Sequence, residues 1–401
     1  MSTITDSPET LRAVMVDNIL ATGHATTPAV EQAMRTVPRH EFVPAASHED
    51  AYADIAVITK RASNGAPLSC ASVPIVVAMM LDQLQVRPGD RVLEIGAGTG
   101  YNAALLAHLT GPTGHVTTVD IDPEVTAGAR QGLDATGHNQ AEVITRDGSL
   151  GADENAPYDR IIFTVGAWDL TPALWEQLAP GGRLVAPLRW RGQTRSVAFV
   201  RDGDALRSDS VELCGFVPMI GQEGERSGHI DSDRLVALYW DVDQSIDAAA
   251  LTGVLEQPKE AVWSGVTVGP YDSFDGVWLR LTGTDPRTCR IAAEAAAIEA
   301  GVCTPAIPSR SPALADGDSL AYFTLQRVNA DTEPRFELGA IGHGPTGQQL
   351  AERLCEEIQA WDQNHDARPI ISAYPADTPD SAVPAGLVID KADSRLVVSS
   401  T

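Results

Sequence analysis

Short apolar runs, each closed by an acid or a glycine and followed by a helical segment, recur through the first half of this chain. Val92–Ile95 runs into glycines and then into the alanine-rich stretch Tyr101–Ala107. His115–Asp120, Ala141–Thr145 and Tyr158–Gly166 repeat the strand pattern, and Leu178–Val185 reads as a helix end, a turn and a further strand. Strands alternating with helices at this spacing predict a doubly wound α/β sheet over about residues 75–200. Upstream, Leu11, Val14, Met15 and Ile19 share one face of a helix over 8–22, with Gly23 as its stop. Thr27-Pro28 opens a second helix running to Val37, and the pair is expected to cover the crevice of the sheet. Pro74–Leu84 reads as an apolar helix, and Ser196–Arg201 and Ser210–Met219 as strands about an Asp-Gly-Asp turn.

Beyond the glycine- and charge-rich stretch 221–229 the pattern changes. Strands are expected at Arg234–Trp240, Ala261–Val268, Gly276–Leu281, Leu320–Val328 and Phe336–Ile341, with helices at Arg290–Ala300 and Gly347–Gln363. Leu350, Leu354, Ile358 and Trp361 form the packing stripe of the latter helix, and the proline-rich stretch Ala373–Pro384 reads as an extended strap. The division is therefore a domain over 1–225 and an α+β domain over 230–401. Gly342–Gly347 precedes a helix, which admits either an anion site or a plain connection.

The chemistry is concentrated at Glu94-Ile-Gly-Ala-Gly-Thr-Gly-Tyr-Asn102. A strand, a glycine turn and a helix N-terminus present backbone N–H groups to a nucleotide-like ligand. The glycines are Gly96, Gly98 and Gly100; the dinucleotide fingerprint needs its third glycine where Tyr101 stands, so the spacing favours S-adenosylmethionine (product S-adenosylhomocysteine) over a nicotinamide. Thr99 and Ile121 join this set as cofactor contacts. Asp120 ends the next strand, placed to accept hydrogen bonds from both ribose hydroxyls. Asp147 and Gly148 end the third strand, Asp147 either holding the adenine amino group or serving as an ordinary Asp-Gly turn. Glu94 either orders the glycine turn or shapes the loop, and Asn102 is polar lining or a helix-end hydrogen bonder. Thr164, Val165 and Gly166 are expected to line the methyl-transfer channel, the last two against substrate.

Further segments extend the pattern: Arg39-His-Glu-Phe-Val-Pro44 with Ala51-Tyr-Ala-Asp54, Leu68-Ser-Cys-Ala-Ser-Val-Pro74, Thr164-Val-Gly-Ala167 and Phe216-Val-Pro-Met219. With the glycine turn they resemble protein-L-isoaspartate O-methyltransferases over about residues 8–222. The resemblance implies a carboxyl O-methyltransferase, with Ser72 standing in the family's Ser-x-Pro substrate motif as the residue that holds the reacting carboxylate. Ser72 is equally an N-cap for the following helix, and Ser69 takes the substrate role if the register shifts. Ile55–Ala71 is longer than the usual linker and lacks the Gly-x-Gly-Gln-Thr run, and the chain continues well past the usual end. Both departures look like the branch that tailors ribosomally made peptides of the lanthipeptide and graspetide type. There an ordinary aspartate of a cyclised precursor is esterified and collapses to an aspartimide. General isoaspartate repair and a non-catalytic peptide-binding module are the alternatives.

Composition narrows the partners. The formal net charge of −25, with no basic stripe, argues against a nucleic-acid partner; a carboxylate substrate is expected either to be held by local dipoles and hydroxyls or to be presented on a peptide with basic or neutral surroundings. No run is long and apolar enough for a membrane span or a signal peptide. The five cysteines (Cys70, Cys214, Cys289, Cys303, Cys355) lack a C-x-x-C pair, so free thiols in a cytoplasmic setting and no metal site are expected.

Overall fold

The computed structural model describes residues 7–328 and 334–399. The chain divides into two compact units. The first runs to Leu188 and resumes over Thr194–Gln222; the second comprises Arg189–Gln193 and everything from Glu223.

The first unit begins with α1 (Pro8–Ala21), α2 (Pro28–Thr36) and α3 (His48–Tyr52). A hairpin follows, β1 (Val57–Arg61) and β2 (Pro67–Ala71), then α4 (Pro74–Leu84). The alternating part is β3 (Arg91–Ile95), α5 (Tyr101–Thr110), β4 (His115–Asp120), α6 (Pro123–Ala135), β5 (Ala141–Thr145), β6 (Tyr158–Phe163) and α7 (Pro172–Gln177). β7 (Leu178–Trp190), β8 (Gln193–Asp202) and β9 (Ala205–Leu213) complete it. The strands lie in the order β9-β8-β7-β6-β3-β4-β5, parallel from β7 to β5 and antiparallel between β8 and β9. The register sets Ile95 opposite Val119 and Phe163. The loops leaving β3, β4 and β6 therefore emerge side by side at the carboxyl edge, where open α/β sheets bind ligands.

Each element has a local cause. α4 is apolar on almost every side and buries Val77, Met79, Met80, Leu81 and Leu84, as such a helix must. α6 starts at Asp122, whose carboxylate accepts from the Glu124 and Val125 N–H groups, with Pro123 at its first position. Four expectations are corrected. α1 buries Val16 beside Met15 and Ile19 and leaves Val14 51% exposed. α1 and α2 pack with α4 and α5 into the main core rather than over the crevice, whose wall is the β1–β2 hairpin. β9 stops at Leu213, leaving Phe216–Met219 as a loop. β7 takes in Ala179–Gly182 as strand.

The second unit contains β10 (Glu225–His229), β11 (Val236–Asp241), β12 (Lys259–Val268), α8 (Asp275–Thr284), β13 (Thr288–Ala293), α9 (Ala295–Glu299), β14 (Ser311–Asp316), β15 (Ser319–Arg327) and β16 (Phe336–His343). After them come α10 (Gly347–Gln363), β17 (Ile370–Pro375), β18 (Leu387–Asp390) and β19 (Ser394–Ser399). An antiparallel sheet in the order β10-β11-β13-β14-β15-β16-β12 packs against α10 through Leu350, Leu354, Ile358 and Trp361. β19 pairs with both β17 and β18.

Here the sequence patterns were partly misleading. Gly276–Leu281, expected as a strand, lies in α8: Val277 and Leu281 are four residues apart and both buried, and Gly276 is small because a Cβ would stand 2.7 Å from the Trp361 indole nitrogen. Arg290–Ala300, expected as a helix, is the end of β13 plus the short α9, with Cys289, Ile291 and Ala293 alternating inward. The division into two units falls between Gln222 and Glu223, inside the glycine-rich stretch 221–229, which also holds β10. The proline-rich strap begins inside β17. Gly342–Gly347 is a connection: Thr346 N–H donates to Ser319 Oγ at 3.0 Å and Gly347 N–H to Gly344 O at 3.1 Å, so those donors are already occupied.

Candidate active site

The carboxyl edge of the first unit carries a continuous trough. One part is lined by residues of the glycine turn, by Glu94, Asn102, Asp120, Thr164 and Val165, and on its far wall by Leu68–Ser72 with Phe216 and Val217. The adjoining part adds Ile121, Asp147, Gly148, Met219 and Ile220; Leu68, Gly96, Asp120, Val165 and Val217 border both.

Its floor is the turn between β3 and α5. Gly96 has φ +103°, and a Cβ there would stand 2.6 Å from Thr164 Oγ1 and 2.9 Å from Val165 Cγ1. The close approach of the β3 and β6 loops therefore requires glycine. Gly100 (φ +86°) serves packing instead, since a Cβ would meet Ala129 O of α6 at 2.9 Å. Gly98 N–H donates to Asp120 Oδ2 at 3.3 Å, while Asp120 Oδ1 accepts Asp122 N–H at 3.1 Å. No basic side chain among the described residues pairs with Asp120. Burial pushes its pKa up, with the backbone donors pulling the other way. A carboxylate that faces a cavity with lone pairs to spare is suited to a ligand's hydroxyl groups.

Glu94 is fully buried. Its oxygens accept from Asn102 Nδ2 at 2.8 Å and from the Thr118 hydroxyl at 2.6 Å, tying the first turn of α5 to β4. Burial raises its pKa to about 7 against those two hydrogen bonds. Glu94 thus shapes the loop, and the Asn102 amide is engaged with it. Asp147 Oδ1 accepts Ser149 N–H at 2.9 Å and caps a short turn, leaving its carboxylate at the rim beside Ile121. The Thr164 hydroxyl donates to Ile95 O at 3.2 Å and contacts Gly96 O, so it fastens the loop.

Gly166 departs from expectation. Its N–H donates to Val217 O at 2.7 Å and its carbonyl accepts Met219 N–H at 2.9 Å. It does not border the trough but anchors the Val217–Met219 loop that does. Of the remaining expected residues, Thr99, Ser69, Ser72 and Val165 line the trough and Gly100 does not.

The far wall hangs on Arg39, the first residue of the Arg39–Pro44 segment, whose bracing contacts only the structure shows. Arg39 is 0% exposed. Its Nε donates to Ala51 O at 2.8 Å and its Nη2 to Ser72 O at 2.8 Å and Ala71 O at 3.3 Å, with the Tyr101 ring 5.0 Å away. The available signal was a charged residue between Val37-Pro38 and Phe42-Val43. Ser72 is not an N-cap; that position belongs to Val73, with no side-chain cap bond. The Ser72 hydroxyl is therefore not used by the helix. The buried Ser69 hydroxyl accepts from Thr59 at 3.3 Å across the hairpin.

The site fits a nucleoside-bearing methyl donor on its own chemistry: a glycine floor, a half-buried acid facing the cavity, and apolar flanks at Ile121 and Met219. Comparison with known proteins agrees. The protein-L-isoaspartate(D-aspartate) O-methyltransferase family profile matches residues 10–224. The protein-L-isoaspartate O-methyltransferase of Methanopyrus kandleri is 40% identical over 216 residues, 53% of this chain and 92% of that protein. That of Methanoregula boonei is 41% identical over 213 residues, 53% of this chain and 94% of that protein. A solved protein-L-isoaspartate O-methyltransferase structure aligns with 90% of this chain and 96% of its own at a TM-score of 0.50 and 18% identity, a likeness of fold that takes in both units. Among the described residues no helix is long and apolar enough to cross a membrane, and no cluster of potential metal ligands occurs. The chain belongs to the protein-L-isoaspartate(D-aspartate) O-methyltransferase family and is an S-adenosylmethionine-dependent protein carboxyl O-methyltransferase.

Proposed function

We propose that this protein esterifies the free carboxylate of an isoaspartyl residue in a peptide or protein. The observation that carries the reading is that Asp120 and Ser72 border one cavity. Asp120 receives the ribose hydroxyls of the donor. Asp147, with Gly148, Ile121 and Met219 around it, receives the adenine. Ser72, the hydroxyl left free of the helix, donates to the target carboxylate.

The donor supplies a methyl group on a sulfonium sulfur. A carboxylate with a pKa near 4 is already ionised at neutral pH, so the protein needs no general base. Its residues align one carboxylate oxygen and exclude water, for which orientation is worth on the order of 7–11 kcal/mol. Neither Glu94, held by two hydrogen bonds, nor Asp120, held by backbone N–H groups, is called on to move a proton.

A second reading draws on the wall itself. β1 and β2 stand where the family's Gly-x-Gly-Gln-Thr run is missing, and Leu68–Ser72 line the trough. Under it the substrate is an ordinary aspartate of a ribosomally made, cyclised precursor, whose ester closes to an aspartimide. The additional unit does not favour this reading, because a solved isoaspartate O-methyltransferase shares the two-unit fold. Matched peptides containing aspartate or isoaspartate, incubated with the donor and examined by mass spectrometry, decide the matter. Gain of one CH₂, or the net loss of water once that ester has expelled methanol and closed to the imide, in the isoaspartyl peptide alone supports repair; the same change in the aspartyl peptide alone supports tailoring and rejects the primary reading.

A further inference from the structure

A second groove adjoins the trough. It lies between the β1–β2 hairpin and the loop Gly215–Pro218, walled by Ile58, Pro67, Val73, Val76 and Pro218, and it shares Cys70, Ser72, Phe216 and Val217 with the trough. No charged side chain lines it. Beside it Ile55 is 48% and Leu68 40% exposed. In a chain with 54 acidic and 29 basic residues, an uncharged apolar surface at the mouth of a site for a carboxylate calls for an explanation.

Charge supplies one. An acidic side chain brought there would lose hydration with no partner, and a basic one would find no acid in the lining. An apolar side chain loses nothing and gains burial. Consecutive residues of a peptide are separated by about 3.8 Å between Cα atoms. With the target carboxylate at Ser72, a neighbouring side chain is thus carried to the Cys70–Ser72 border of the groove.

We propose that this groove is a specificity subsite for an aliphatic or aromatic side chain directly next to the target aspartyl-type residue. The inference rests on the reading that Ser72 receives the target carboxylate. The groove therefore ranks substrates by their neighbours, preferring targets flanked by apolar residues over those flanked by charge.

The test uses the full chain with S-adenosylhomocysteine bound, and peptides of one frame in which the residue before or after the target is Ala, Leu, Glu or Lys. Kd is measured by calorimetry, and KM and kcat with the methyl donor. At one flanking position Leu is expected to bind about tenfold more tightly than Glu, the difference appearing in KM with kcat unchanged. Ile58→Glu is expected to abolish the Leu advantage while leaving S-adenosylhomocysteine affinity unaltered. Pro67→Glu, at an exposed position, provides the same test should the first variant fail to fold. Equal methylation of all the peptides overturns the subsite and leaves the proposed function standing, whereas methylation of none refutes both. If Ile58→Glu converts a dimer to a monomer without altering peptide preference, the groove is a contact between copies of this chain and the subsite is refuted.

Discussion

Arg39 Nη2 donates to the backbone oxygen of Ser72 at 2.8 Å, from a guanidinium that is entirely buried and pairs with no acid among the described residues. Its other acceptors, Ala51 O and Ala71 O, are also backbone. The residue is a brace, fixing the start of α4 and the end of β2 to the N-terminal segment. Arg39→Met leaves these carbonyls without their donor and is expected to cost roughly 2–4 kcal/mol, read as a lower urea midpoint. Arg39→Lys retains the charge but not the fork, and is expected to recover less than half of that.

Asp120→Asn exchanges one carboxylate oxygen for a donor, at the point where Gly98 N–H and the proposed ribose hydroxyls converge. The expected result is about a 10- to 100-fold weaker Kd for S-adenosylhomocysteine by calorimetry, the worth of hydrogen bonds to a charged group. The melting temperature without ligand is expected to stay within a few degrees. Unchanged affinity would remove Asp120 from the cofactor site.

Gly96→Ala and Gly23→Ala form a controlled pair. Both glycines have positive φ, +103° and +75°, but a Cβ at Gly96 collides with Thr164 and Val165 while Gly23 has nothing within 4 Å. Gly23→Ala should cost about 1 kcal/mol from backbone conformation. Gly96→Ala should cost more, about 2–4 kcal/mol, and also weaken donor binding. Equal costs from chemical denaturation would contradict the close approach of the two loops.

The buried Glu94 carboxyl, raised to about 7, sets a pH dependence of stability. Its unfolded pKa is near 4.5, so between those values the folded chain binds the extra proton, and stability falls as pH rises through the window. The full effect is on the order of 3 kcal/mol. Asp241 in the second unit, raised by burial to about 6 against the pull of Arg191, acts in the same direction. Glu94→Gln should therefore flatten, not abolish, the decline in unfolding free energy between pH 5 and 7. A slope identical to that of the unmodified protein would show that Glu94 is ionised throughout.

Much of the catalytic half was legible because its signals are local. The glycine turn, Asp120 and Asp147 follow strands that their own residues specify, and the parallel register carries them to one edge. Val14 and Gly276–Leu281 misled for the opposite reason: periodicity names a face but not the neighbour that covers it. Gly276 is explained by Trp361, which lies far along the chain.

The sequence by itself determined the family and the strand, glycine turn and helix of β3 and α5, since runs of adjacent residues encode strands, turns and charge. Tertiary structure alone decided that the β1–β2 hairpin rather than α1 and α2 walls the site, that Gly166 anchors a loop instead of lining the channel, and that Arg39 braces Ser72. Each of these depends on groups brought together from distant segments, where packing and the satisfaction of buried polar atoms, not local propensity, fix the outcome.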